Sequence, residues 1–134
     1  RYLVPKGPIV SITDKQGRTD TETSTLEKVG FPQAVLVNHG TASAAEIVSG
    51  AIQDTHTGKL FGTKTYGKGV VQNVYMLGSD TALKLTIANY YTPSGRNIDK
   101  VGITPDQVIT ADDDAGSNQL TAAEAYLKEQ LGAK

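Results

Sequence analysis

A short apolar run that passes straight into a helical period limits the fold more than anything else in the sequence. Ala34-Val35-Leu36-Val37 is compact and apolar, as suits a buried, parallel strand. Asn38-His39-Gly40-Thr41 is a tight turn. Ala44, Ile47, Val48, Ala51 and Ile52 then recur at helical spacing, giving one apolar face of a helix that ends near Thr55. A strand, a turn and a helix in that order call for a layered fold of strands and helices, and 134 residues give room for one core.

The flanking sequence adds mostly strands. Ile9-Val10-Ser11-Ile12 is a short strand, and the polar stretch from Asp14 to Gly30 reads as an exposed loop or hairpin tip. Lys59 to Lys64 is another strand. Val70 to Leu77 and Ala82 to Tyr91 form a β-hairpin closed by Gly78-Ser79-Asp80-Thr81. Thr92-Pro93-Ser94-Gly95 and Gly102-Ile103-Thr104-Pro105-Asp106 are turns. Asp112-Asp113-Asp114 opens an acidic linker, and Leu120, Ala123, Tyr126, Leu127 and Leu131 give a second helical stripe starting near Asn118 or Thr121. The fold class is α/β. Two regions follow, 1–111 as the main body and 112–134 as the linker with its C-terminal helix.

Composition removes several chemistries. The chain has no cysteine, so disulfides, thiolate nucleophiles and cysteine-held zinc are excluded. Two histidines are too few for a histidine-rich metal site. With 13 basic and 14 acidic residues the net charge is -1, which gives no electrostatic reason to bind nucleic acid.

Ser43 stands where the turn meets the helix. The first amides of a helix are unpaired and point outward, so a serine there can present its hydroxyl while the Ala44 amide receives a developing oxyanion. Ser43-Ala44-Ala45-Glu46 also spells a capping box, a purely structural reading. Lys68 lies between Gly67 and Gly69, either as a solvated surface charge or in a loop shaped for close approach. Gly62 to Lys68 satisfies GxxxxGK. The next residue is Gly69 rather than Ser or Thr, though, and a strand follows instead of a helix, so the phosphate-loop reading fails. Neither SxxK nor GxSxG surrounds Ser43. His39 and His56 are tied to Ser43 only by nearness in sequence, and Asp112 with Asp114 suits a solvated acidic stretch.

Three segments together resemble one family. Ala34 to Ile47 (AVLVNHGTASAAEI) resembles the nucleophile segment of the carboxyl-terminal processing, or tail-specific, proteases. Gly62 to Gly69 (GTKTYGKG) is similar to their lysine segment. Tyr91 to Gly95 (YTPSG) with Gly102 to Asp106 (GITPD) is similar to their later strand and turn. The resemblance implies a Clp protease–crotonase-like spiral core and a Ser-Lys dyad that needs neither metal nor cofactor. Ser43 would be the nucleophile, Lys68 its base, Gln72 the residue that orients the lysine, and Ala44 an oxyanion donor. In an extended strand four residues span about 13 Å, so the loop must curl if Lys68 and Gln72 are to meet. The implied substrates are proteins with exposed C-terminal tails, and the implied setting is extracytoplasmic. The family pattern also has a PDZ domain and an Asn-Pro-Gly-Gly segment before the serine. Their place precedes this chain's first residues, so residues 1–111 are expected to be the C-terminal part of a protease domain, inactive or weak by itself. Edges left open in such a part suggest a homodimer. The competing expectations are a non-catalytic interaction or oligomerisation module and, third, a crotonase-like acyl-transfer enzyme recognisable by coenzyme A binding.

Overall fold

The computed structural model describes residues 2–132. In chain order the elements are β1 (Gly7–Asp14), β2 (Thr19–Ser24), β3 (Gln33–Val37), α1 (Ala44–Asp54), β4 (Gly58–Gly62), β5 (Val70–Met76), β6 (Ala82–Tyr91), β7 (Gln107–Val108) and α2 (Ser117–Gly132). They build two sheets. One is antiparallel in the order β2-β1-β6-β5, and the other is parallel in the order β3-β4-β7.

The parallel sheet is covered on both faces, as parallel sheets require. Successive side chains of β4 point to opposite faces. Leu60 enters the core with Val37, Ala51, Ile52, Tyr90, Ile98 and Ile103, while its neighbour Phe61 meets the Tyr126 ring of α2 at 5.6 Å. Helix α1 packs against β4 and also against β1, so it joins the two sheets. Helix α2 packs on β3 and β4 and is anchored by the Gln119 amide, which donates to the Ile109 carbonyl at 2.7 Å.

Several elements differ from the sequence reading. The stretch from Asp14 to Gly30 is a hairpin tip at Asp14–Arg18 followed by the regular strand β2. Thr19 to Thr23 are all exposed and polar, so the strand has no apolar alternation to announce it. It is held by backbone pairing to β1 and by hydroxyl pairs, Ser11 with Thr21 and Thr13 with Thr19, each at 2.9 Å. In β3 the burial is partial: Val37 is covered, whereas Leu36 is 46% exposed. Strand β7 has two residues and no apolar pattern, and it exists through its register with Phe61 and Gly62.

Candidate active site

The turn after β3 is fixed by its own side chains. Asn38 Oδ1 accepts the Gly40 N–H at 2.9 Å, and Thr41 Oγ1 accepts the Asn38 N–H at 3.0 Å. The turn delivers Ser43 to the N-cap of α1 with φ 55° and ψ -121°. A non-glycine residue in such a conformation costs about 1–3 kcal/mol and persists only where its surroundings enforce it. Here the enforcing group is Glu46, whose Oε2 accepts the Ser43 N–H at 3.0 Å. As the first residue of α1, Ala44 has an amide without an intrahelical acceptor.

Glu46 does more than cap. It is fully buried, and each carboxylate oxygen has two donors. Oε1 accepts the Thr65 hydroxyl at 2.5 Å and the Gly67 N–H at 2.8 Å, while Oε2 accepts the Lys68 N–H at 2.8 Å besides that of Ser43. One carboxylate therefore ties the serine turn to the lysine loop. Thr65 Oγ1 also accepts the Ile103 N–H at 2.7 Å, and the Thr41 carbonyl accepts the Tyr66 N–H at 2.9 Å.

The glycines on either side of Lys68 are required sterically. A Cβ on Gly69 would lie 2.5 Å from the Asp99 nitrogen, and one on Gly67 would lie 2.8 Å from the Gly102 nitrogen at a φ of +89°. Asp99 Oδ1 accepts the Gly69 N–H at 3.2 Å, and the Gly67 carbonyl accepts the Lys100 N–H at 2.7 Å. No acidic residue lies between Lys59 and Leu77 in sequence, yet two carboxylates, Glu46 and Asp99, reach the loop from elsewhere.

An open cleft of about 380 Å³ gathers the predicted residues. Ser43, Ala44, Lys68 and Gln72 line it together with Ile12, Ile47, Val70, Val71, Lys84 and Tyr90. Gln72 reaches the cleft beside an irregularity in the β5–β6 register, where Val71 faces Ala88 and Gln72 faces Thr86. Its amide donates to Thr86 Oγ1 at 3.4 Å, so the hydrogen bond it makes is to β6 rather than to Lys68. His39 packs its ring on Tyr66 at 5.7 Å, and neither it nor His56 lines the cleft. Asp113 caps α2 by accepting the Ser117 N–H at 3.0 Å. Sequence reading marked Glu46 only as half of a capping box. It missed Tyr90, which enters the cleft because β6 pairs with both β1 and β5.

Known proteins share this architecture. Over 81% of this chain and 29% of its own, a solved photosystem II D1 C-terminal processing protease superposes with a TM-score of 0.73 at 38% identity. A lipoprotein from Streptococcus agalactiae superposes over 96% of this chain and 47% of its own, with a TM-score of 0.76 at 26% identity. The mixed α/β body is thus that of the Clp protease–crotonase-like processing proteases. The chain belongs to peptidase family S41, whose family model matches residues 1–109. The carboxyl-terminal-processing peptidase 2, chloroplastic, of Arabidopsis thaliana is 45% identical over 112 residues, which are 81% of this chain and 22% of that protein. The carboxy-terminal-processing protease of Bartonella bacilliformis is 46% identical over 110 residues, 78% of this chain and 25% of that protein. The chain spans about a quarter of the length of the curated relatives it matches.

Proposed function

We infer that residues 1–111 are the part of a serine endopeptidase domain that carries its nucleophile and base, and that 112–134 are an appended linker and helix. The Ser43 hydroxyl attacks the substrate carbonyl, forming the Oγ–C bond while its proton passes to Lys68 Nζ. Lys68 then protonates the departing amine as the C–N bond breaks, and water hydrolyses the acyl-serine. The Ala44 amide donates to the oxyanion, and Gln72 lines the approach to the lysine. Substrates are proteins with exposed C-terminal tails, met outside the cytoplasm. The observation that carries this reading is the strained N-cap geometry of Ser43 in one cleft with Lys68.

With Ala44 as its helix-terminal donor, the 134-residue chain by itself is slow or inert as a peptidase, whereas a fluorophosphonate, whose fluoride leaves without being protonated, still reports the Ser43 nucleophile. Lack of a single oxyanion donor typically costs a factor of about 100 to 1,000 in rate. Fluorophosphonate labelling read by intact mass tests the assignment. One adduct, absent from Ser43→Ala, is expected; labelling that persists in Ser43→Ala would remove the serine role.

A second reading, an interaction or oligomerisation module, is favoured by one observation. Strand β5 is an edge of its sheet, and the β5–β6 hairpin exposes Val74, Tyr75, Met76, Leu83 and Leu85. A homodimer through this edge is compatible with either reading.

A further inference from the structure

Gly67, Lys68 and Gly69 carry three N–H groups and three carbonyls. Five of these six have the partners Glu46, Asp99 and Lys100 already described, together with the Tyr90 N–H, which donates to the Gly69 carbonyl at 3.0 Å. The sixth, the Lys68 carbonyl, accepts the Tyr90 hydroxyl. Tyr90 is 4% exposed and lines the cleft between the two reacting residues. A phenol has one proton to donate, and Tyr90 gives its proton to Lys68.

We propose that Tyr90 is a positioning residue of the Ser43–Lys68 pair, its hydroxyl and its N–H holding the Lys68 and Gly69 carbonyls and so fixing the peptide from which the base enters the cleft. The proposal rests on the roles inferred above for Ser43 and Lys68. Burial raises the Tyr90 phenol above its usual 10.0, the Ser43 hydrogen bond opposes that rise, and the charges of Glu46 and Asp99 add to it. Tyr90 thus stays a protonated donor at neutral pH. The neighbouring Tyr91 points to the opposite face of β6 and serves as the control.

Two measurements on the 134-residue chain test this. In the first, the fluorophosphonate labelling rate of Tyr90→Phe should fall about tenfold, the factor that corresponds to one lost hydrogen bond, with an unchanged circular dichroism spectrum. Tyr91→Phe should label as the wild type does. The second needs no reactivity. The amides of Gly67, Lys68 and Gly69 should exchange with deuterium faster in Tyr90→Phe than in the wild type, while those of the β3–β4 ladder keep their wild-type rates. Tyr90→Phe labelling at the wild-type rate, or loop amides that exchange in Tyr90→Phe as they do in the wild type, would overturn the proposal. A wild-type chain that takes no label would count against the serine nucleophile, and the exchange of the loop amides would then decide the Tyr90–Lys68 contact alone.

Discussion

Lys64 and Lys68 share one loop but have different surroundings. Lys64 is exposed, whereas Lys68 is half-buried, with its N–H on Glu46 and its side chain in the cleft. Replacing Lys68 by Ala or Arg should abolish Ser43 labelling, because neither alanine nor an always-protonated guanidinium can accept the serine proton. Lys64→Ala should be mild, and the reverse result would move the base to Lys64. Glu46→Gln tests the carboxylate differently. Whichever way the amide turns, its NH₂ faces a backbone N–H that had an acceptor, at Gly67 on one side or at Ser43 and Lys68 on the other. One orphaned buried donor costs about 1–3 kcal/mol, so urea unfolding should show at least that loss. This double use of Glu46 was half legible in the sequence. Ser-Ala-Ala-Glu announces the cap, but nothing local to Glu46 announces a loop that meets it 19 residues later at Thr65.

Helix α1 was readable from its period, although its burial follows the apolar stripe only at Ala51 and Ile52 and takes in Glu46 and Ser49 while Val48 stays exposed; β6 was readable because its ends are marked by turns. Strand β2 was not, since pairing rather than side-chain pattern makes it a strand. Close approach is similarly hidden. Gly50 reads as a weak point in a helix, where alanine should gain about 1 kcal/mol. A Cβ there would stand 2.9 Å from Thr92 Cγ2 and 3.2 Å from Ile103 Cδ1, and overpacking of this kind costs about 1–3 kcal/mol. Gly50→Ala should therefore lower the melting temperature despite its better helix propensity. At the other end of α1, Asp54 accepts the Ser94 hydroxyl at 2.6 Å and pairs with Arg96. Burial raises its carboxyl pKa, but hydrogen bonds from Ser94 and Thr92 and the charge of Arg96 outweigh it and hold the group below its ordinary 3.8. A lowered folded value means stability that is complete above pH 3.8 and is lost as pH falls through the folded value. Asp54→Asn should thus melt lower than wild type near neutral pH, with the gap closing in acid. A gap that is constant with pH would remove the charge from the explanation.

The two sheets differ in how they are covered. The parallel sheet lies between helices, whereas β5 leaves the antiparallel sheet with an open edge and Met76 66% exposed. Lysines are a common way to blunt such an edge. If the β5 edge supports a homodimer, sedimentation should show concentration-dependent association that disappears when Val74 and Met76 are both changed to lysine. A chain that remains monomeric across concentrations would dismiss the edge as an interface. The loop from Thr63 to Gly69 is the covalent link from β4 in one sheet to β5 in the other. Its last three residues, Gly67 to Gly69, have no regular secondary structure, yet every one of their backbone groups is paired. Opening it would free a buried carboxylate and part the two sheets, an event close in cost to unfolding the whole. The amides of Gly67, Lys68 and Gly69 should therefore exchange with deuterium as slowly as those of the β3–β4 ladder. A loop that exchanges like a strand has no inexpensive way to rearrange, so the lysine meets whatever enters the cleft already in place.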